Sequence, residues 1–407
     1  MRANTSVARG GLPKLSRRGP RPAVSASVLL LAASVFSGVT SVAIPVHLHA
    51  AGLSKLDIVV YFIVSAAVVV AYSLGVVPRL GRRGYPAGAL RGTTAAVPAG
   101  TLLVLYGADR PVLLYIGAAV MLATTTSVPQ VFGRVAAMHS ADPGAVVFRL
   151  RQTMVAGFIL GLGVYSAASF VRVEPLLVGS GFAAICAFTA WSRYFSGAIA
   201  EPTNNGANPS SKHTRTVAAA LVAGAILVVA LMKGVDTLRA IYLPLYATQV
   251  GISNEAIAPL FIVTAVTELL LLPVLRKVTL KLGEFATLAV ICAIAVVAFL
   301  MLFALRGYGT ILASQVLYAA FAAGFQSIGV VVLARVTGKD IGQGAAIFMT
   351  VIQTGSVLGA VLPLTVPGYQ SGIFVIAAAL CLLSAAVCLA LRRGESVRPS
   401  PGGSASL

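Results

Sequence analysis

The feature that most constrains this chain is a series of long apolar stretches that contain almost no charged residues. A helix needs about 20 apolar residues to cross the hydrocarbon core of a bilayer, and only helices or closed barrels satisfy their backbone hydrogen bonds there. The stretches are too long and too uniformly apolar for the short alternating strands of a barrel. We therefore predict an all-α integral membrane protein with twelve transmembrane helices, at residues 24–50, 58–77, 93–106, 112–132, 153–170, 175–191, 217–246, 257–275, 285–305, 311–333, 345–364 and 371–391.

Composition excludes several classes of protein. Only 10% of the 407 residues are charged, against about 25% in soluble domains, so the chain is not a water-soluble enzyme. It has no phosphate-binding loop of the G-x-x-x-x-G-K-[ST] type, which argues against ATP as the energy source. Its four cysteines lie inside apolar stretches without the spacing of metal ligands, so we predict no disulfide, no metal site and no cofactor.

The net charge of +19 would suggest nucleic-acid binding in a soluble protein, but its distribution indicates a membrane topology instead. Two basic residues fall inside the seventh stretch, and four fall in the loops on one side of the predicted membrane: Lys55, Arg110, Arg172 and Arg306. All the others fall in the tails and loops of the opposite side, which the positive-inside rule assigns to the cytoplasm. We predict a multi-pass protein of the cell membrane with both termini cytoplasmic and no nucleic-acid partner.

The sequence contains an internal duplication. A shift of 199 residues aligns Pro45 with Pro244, Gly52 with Gly251, Ser54 with Ser253, and Gly84 with Gly283. A polar segment rich in Asn, Pro and Ser separates the two copies and is typical of a flexible linker. We predict five units: a basic tail at 1–23, a six-helix bundle at 24–195, the linker at 196–216, a second six-helix bundle at 217–391 and a tail at 392–407.

This plan of two parallel six-helix repeats resembles the major facilitator superfamily, in which substrate binds at the midplane between the halves. Within it the second half resembles the bacterial sugar efflux transporters, through Leu243-Pro244-Leu245-Tyr246, Gly251, Glu268, Gly283 and the segment 342–361. The loop after the second helix keeps part of the superfamily's basic signature, although Pro78 stands where that signature carries an aspartate. The resemblance implies a cytoplasmic gate in this loop, formed by Arg79, Gly81, Arg82 and Arg83.

Charged residues inside a membrane cost about 2.5 to 3.5 kcal/mol each on insertion scales, so they indicate a polar cavity or pairing. Lys233, Asp236 and Arg239 share one sector of the seventh helix, where Asp236 can pair with either base, and Glu268 lies in the eighth helix. The duplicated positions of the first half carry no charge: Ser34, Ser37, Thr40 and Val69. Two interpretations stay open. Either these are structural ion pairs, or Asp236 or Glu268 carries the coupling proton while Lys233 and Arg239 bind substrate.

Neutral polar side chains complete the candidate substrate site. Sugars bind through hydrogen-bonding groups, and several predicted helices carry such groups among their apolar residues. Besides the two bases, the substrate-binding candidates are Gln152, Tyr242, Tyr246, Thr264, Gln315, Tyr318, Gln326 and Gln353. Each of them also has a structural interpretation as an interhelical hydrogen bond.

We expect a secondary transporter that exports a sugar or glycoside in exchange for protons, by rocking of its two halves. The alternative is an exporter of a drug or of a self-made antibiotic, glycosylated or aminoglycoside-like. A non-transporting membrane receptor of the same fold is less favoured, because the tails are short for a signalling domain. The expected partners are the small-molecule substrate, protons and the lipid bilayer, and we expect a monomer.

The charge distribution makes a testable prediction about topology. Alkaline phosphatase fused at Gly206, in the linker, should be inactive because the linker is cytoplasmic, whereas the same enzyme fused at Leu56 should be active. Activity of the reporter at Gly206 would overturn the predicted orientation.

Overall fold

The computed structural model describes residues 21–72, 75, 87–122, 143–191, 219–337 and 341–396. The gate residues Arg79, Gly81, Arg82 and Arg83 and the linker 196–216 lie outside these ranges. The described residues form twelve α-helices, as the sequence predicts: α1 (Arg21–Ala50), α2 (Lys55–Ala71), α3 (Ala87–Tyr106), α4 (Pro111–Leu122), α5 (Pro143–Phe170), α6 (Pro175–Trp191), α7 (Ala219–Gln249), α8 (Asn254–Leu282), α9 (Glu284–Ala304), α10 (Tyr308–Thr337), α11 (Ile341–Val361) and α12 (Ile373–Ser396). Seven of these helices are long and apolar enough to cross a membrane, and three further apolar helical segments are shorter.

The turn between the first two helices of each half has the same backbone conformation. Gly52 has a φ of 79° and Gly251 a φ of 85°, in the left-handed region that favours glycine. In both turns the residue after the glycine donates its backbone N–H to the carbonyl five residues earlier, which closes the preceding helix. Ser54 and Ser253 then stand at the N-cap of the next helix. The duplication read from the sequence therefore extends to the backbone.

The eleventh helix ends earlier than its apolar stretch predicts. α11 stops at Val361, and the chain continues as a 3-10 turn over Leu362–Thr365, whereas the predicted helix ran to 364. Pro363 lies in this turn, and proline cannot donate the backbone hydrogen bond that an α-helix requires. Hydropathy does not detect this break, because Leu362, Pro363 and Leu364 are all apolar.

The packing of the helices repeats with a period of six. In the first half α1 packs on α5 and α6, α3 on α4 and α6, and α2 on α4. In the second half α7 packs on α11 and α12, α9 on α10 and α12, and α8 on α10. The two halves meet through α1 with α7, α2 with α11, and α5 with α8. A two-fold rotation maps this set of contacts onto itself, so the protein consists of two related bundles.

Small residues bring α11 close to α7. A Cβ atom on Gly359 would overlap the carbonyl oxygen of Gly234, and one on Gly355 would lie 2.8 Å from the Cβ atom of Lys233. Glycines four residues apart lie on one face of a helix and allow two backbones to approach closely. This contact places α11 directly beside the charged residues of α7.

The first half makes the same contact between α5 and α1. A Cβ atom on Gly157 would lie 2.8 Å from the Cβ atom of Ser34, and one on Gly161 would overlap the carbonyl oxygen of Val35. Ser34 therefore occupies in the first half the position that Lys233 occupies in the second. The sequence alignment pairs the same two residues.

The close approach of α7 and α11 predicts the effect of a larger side chain. Gly359→Val should lower the free energy of unfolding by about 2 kcal/mol, as overpacking does in well-packed interiors, and lower the apparent Tm of the purified protein. Gly163→Ala is the matched control, because a Cβ atom at Gly163 meets no atom within 4 Å. An unchanged Tm for Gly359→Val would contradict the observed packing.

Candidate functional site

α7 carries three charged residues into the interior of the protein. This helix packs on α1, α10, α11 and α12, so its central turns face protein rather than lipid. Lys233, Asp236 and Arg239 follow one another at intervals of three residues, and each interval turns the side chain by about 60° around the helix axis. The three side chains therefore meet different neighbours.

Lys233 and Asp236 form an ion pair. Lys233 Nζ lies 2.7 Å from Asp236 Oδ2, and Tyr318 of α10 donates its hydroxyl to Asp236 Oδ1 at 2.8 Å. The side chains of Lys233 and Asp236 remain 23% and 17% exposed. Helices α1, α10, α11 and α12 surround this part of α7.

Arg239 donates its hydrogen bonds to neutral side chains. It is 5% exposed, and it donates from Nε to Gln315 Oε1 at 2.6 Å and from Nη2 to Thr264 Oγ1 at 2.7 Å. Its Cζ atom lies 4.6 Å from the ring centroid of Phe261 and 4.3 Å from that of Tyr318. Both distances allow cation–π attraction. Asp236 makes its ion pair with Lys233, whereas the hydrogen bonds of Arg239 go to neutral side chains.

Glu268 lies one helical turn from Thr264 on α8, on the face that packs inward. It is 7% exposed, and its charge acts on the Arg239 guanidinium together with that of Asp236. The two acids of the predicted helices therefore influence one buried base.

Tyr318 connects the two groups of charges. Its hydroxyl donates to Asp236 and its ring covers one face of Arg239, while only 1% of the residue is exposed. The members of this charged network are Lys233, Asp236, Arg239, Phe261, Thr264, Glu268, Gln315 and Tyr318. All of them belong to α7, α8 and α10, in the second half.

Tyr242 and Tyr246 lie further along α7 and outside the charged network. Tyr242 donates its hydroxyl to the carbonyl oxygen of Ala360 at 2.7 Å. Tyr246 packs edge-on against Phe374, with the ring centroids 5.2 Å apart. Both tyrosines are buried, and in this arrangement they hold α7 against α11 and α12.

The three remaining glutamines are half-buried and are not brought to the charged network. Gln152 lies on α5, Gln353 on α11, and Gln326 on α10. Gln326 is eight residues beyond Tyr318, which places it about 12 Å further along the helix axis. Among the described residues, none of the three is a partner in the hydrogen bonds of Lys233, Asp236 and Arg239.

Two contacts, one by Phe261 of the network and one by Ser314 beside it, were not predicted from the sequence. Phe261 lies three residues before Thr264 and thus on the same face of α8. This spacing indicates a contact between Phe261 and Arg239 once Arg239 is known to be buried. Ser314 accepts a hydrogen bond from Gln315 Nε2 at 3.0 Å. Adjacent residues of a helix do not normally face each other, so helical periodicity gives no signal for this second contact.

The arrangement of helices is similar to that of several solved transporters. The nucleoside transporter NupG matches with a TM-score of 0.66 and 13% identity, over 92% of this chain and 99% of its own. A bacterial homologue of the human lysosomal transporter Spinster, in an inward-facing and unoccupied conformation, matches with a TM-score of 0.68 and 14% identity, over 94% and 99%. A variant of the peptide transporter POT in complex with sulfate matches with a TM-score of 0.72 and 12% identity, over 93% and 96%.

These similarities establish the fold. No family model and no curated protein sequence matches the chain. At 12 to 14% identity the solved structures show the fold alone, and the chain has the major facilitator fold of a multi-pass membrane protein.

The ion pair predicts how substitutions at Lys233 and Asp236 combine. Asp236→Ser alone leaves a partly buried ammonium without its partner and should lower the free energy of unfolding by about 3 kcal/mol. Lys233→Ser with Asp236→Ser introduces the residues found at the duplicated positions, Ser34 and Ser37, and should restore most of that loss. Thermal unfolding of the purified variants measures both changes.

Thr237→Val is the control for loss of one neutral hydrogen bond on the same helix. Thr237 Oγ1 bonds the hydroxyl of Ser356 at 3.2 Å, so its loss should cost about 1 kcal/mol. A double variant less stable than Asp236→Ser would show that the two side chains do not compensate each other.

Proposed function

We propose that this protein is a secondary active transporter that works by alternating access, with its substrate site at the exposed surface of the Lys233–Asp236 ion pair. The supporting observation is that these two charged side chains, on a helix packed among other helices, remain 23% and 17% exposed. Charged groups at this depth line water-filled cavities or substrate pathways in membrane proteins. In two-repeat transporters the substrate site lies near the midplane, at the interface of the repeats.

The similar solved structures support the functional class. They are described as a nucleoside transporter, a homologue of a lysosomal transporter and a peptide transporter. The nucleoside transporter and the peptide transporter carry different cargoes, so the shared fold supports transport in general. The cargo of this chain has to be inferred from its own residues.

We assign proton coupling to Asp236 first. Its carboxylate accepts hydrogen bonds from the Lys233 ammonium and from the Tyr318 hydroxyl. An ionised carboxylate also accepts hydrogen bonds from the hydroxyls of a polar solute, whereas a proton on Asp236 removes the charge that attracts both Lys233 and the solute. Proton and solute then compete for one carboxylate, and this competition is the requirement for exchange.

Glu268 is the second coupling candidate. Its carboxyl group is more deeply buried than that of Asp236, and its charge acts on the Arg239 guanidinium. Because burial limits its access to solvent, we tie its protonation to a change of conformation.

The preferred cargo is a sugar or a glycoside. Lys233, Asp236 and Tyr318 place donors and acceptors within hydrogen-bonding distance of one another, as recognition of a polyhydroxylated molecule requires. The resemblance of the second half to sugar efflux transporters supports the same cargo and the outward direction. A self-made antibiotic of the aminoglycoside type is the second candidate, because Asp236 and Glu268 are natural partners for its ammonium groups. We further propose that the protein lies in the cell membrane with both termini cytoplasmic.

Transport in inside-out vesicles tests this proposal. A panel of radiolabelled mono- and disaccharides, with a nucleoside and a dipeptide for comparison, should identify a cargo that accumulates when a pH gradient is imposed. Glu268→Gln should abolish this accumulation but preserve exchange of labelled for unlabelled cargo, since exchange needs no net proton movement. Asp236→Asn mimics the protonated acid, so it should abolish accumulation and also weaken exchange. Asp109→Asn is the matched control, because Asp109 is exposed in the loop between α3 and α4.

The outcomes separate the possibilities. Accumulation of the nucleoside or the dipeptide and of no saccharide would refute the sugar assignment. If both variants still concentrate the cargo, neither acid couples transport to protons, and the network is structural.

A further inference from the structure

A lysine of the first half is held by three backbone carbonyls of the second half. Lys55 is the first residue of α2, and its Nζ atom donates to the carbonyl oxygens of Pro363, Val366 and Gly368 at 2.7, 2.7 and 2.6 Å. An ammonium has three N–H donors, so this set of acceptors satisfies all of them. Hydrogen bonds with a charged donor are about twice as strong as neutral ones.

Two tyrosine rings lie beside the same ammonium. Lys55 Nζ is 5.4 Å from the ring centroid of Tyr242 and 5.7 Å from that of Tyr369, within the range of cation–π attraction. Burial lowers the pKa of the Lys55 ammonium to about 8, so it remains protonated at neutral pH. We call the three carbonyls and the two rings the ammonium cage.

The ammonium cage belongs entirely to the second half. The Tyr242 hydroxyl is bonded to the carbonyl oxygen of Ala360, and the backbone N–H of Tyr369 donates to Gln249 Oε1 at 3.0 Å. These bonds hold the Tyr242 ring and the backbone at Tyr369 without any contribution from Lys55. The three carbonyls belong to one short segment of the second half, so they stay together as a set of acceptors when Lys55 leaves.

We propose that the ammonium cage is a binding site for a primary ammonium, that Lys55 occupies it as a tethered ligand while this end of the protein is closed, and that withdrawal of Lys55 opens this end. α2 and α11 are one of the three helix pairs that join the halves, and Lys55 lies at the end of this pair. Two further contacts between the described residues of the halves lie at this end. Ser166 donates its hydroxyl to the carbonyl oxygen of Glu255 at 2.9 Å, and His49 packs edge-on against Tyr369 at 5.1 Å.

This inference rests on the proposed function in one respect, which is that alternating access requires the halves to separate at this end. When the first half moves away, the carbonyls lose their donors and are open to solution. A soluble primary ammonium can then occupy the cage, and it stabilises the open arrangement by mass action. The test measures conformation and not transport, so the two proposals can fail independently.

Distance measurements between two spin labels test the role of Lys55. Cysteines introduced at Ala51 and Gln370 place one label on each half, at exposed positions, and the four natural cysteines are buried. Lys55→Met keeps the apolar stem and removes the charge. It should raise the ratio of open to closed molecules about tenfold, which corresponds to about 1.4 kcal/mol. Lys277→Met is the matched control, because Lys277 is exposed on α8, and it should leave the distances unchanged.

A titration of the otherwise unaltered labelled protein tests the cage itself. n-Propylammonium chloride should raise the open fraction, because it competes with Lys55, and n-propanol should have no effect. A protein that responds equally to both compounds, or to neither, has no ammonium site. A distance distribution in folded Lys55→Met identical to that of the parent protein would overturn the role of Lys55 in closure. The titration requires no substitution at Lys55, so it decides the proposal even if Lys55→Met does not fold.

Discussion

Hydrocarbon offers no hydrogen-bonding partner, so each polar group that this chain places inside the membrane has to be satisfied by the protein itself. Twelve helices satisfy the backbone in this way. The charged side chains follow the same requirement. Asp236 accepts from Lys233 and Tyr318, and Arg239 donates to two neutral side chains and lies beside two aromatic rings. Lys233 and Asp236 also keep part of their surface exposed, and this surface is the candidate site.

The scaffold is symmetrical, but its chemistry is not. Gly157 packs against Ser34 in the first half as Gly355 packs against Lys233 in the second. The same backbone contact therefore accepts either a hydroxyl or an ammonium. The fold therefore does not require this charge, which costs free energy to place in a membrane.

The charged network and the ammonium cage respond differently to a movement of the two halves. Every member of the charged network lies on α7, α8 or α10, so the second half can carry it as a rigid unit. Lys55 instead reaches from the first half into the second, and its hydrogen bonds break when the halves separate. A rocking movement of one bundle against the other would thus preserve the contacts within the charged network and break the hydrogen bonds of Lys55 to the ammonium cage.

The sequence by itself determined the fold class, the twelve helices and the duplication, because hydrophobic length and repeated turn residues such as Gly52 and Gly251 are local properties of the chain. It also identified the charged residues of α7 and α8, since charge inside an apolar stretch is visible without coordinates. The tertiary structure decided which partners these charges have. It pairs Asp236 with Lys233, gives Arg239 to Gln315 and Thr264, and joins Lys55 to carbonyls more than three hundred residues away. Periodicity relates residues of one helix to each other, whereas contacts between helices depend on packing and on side-chain conformation.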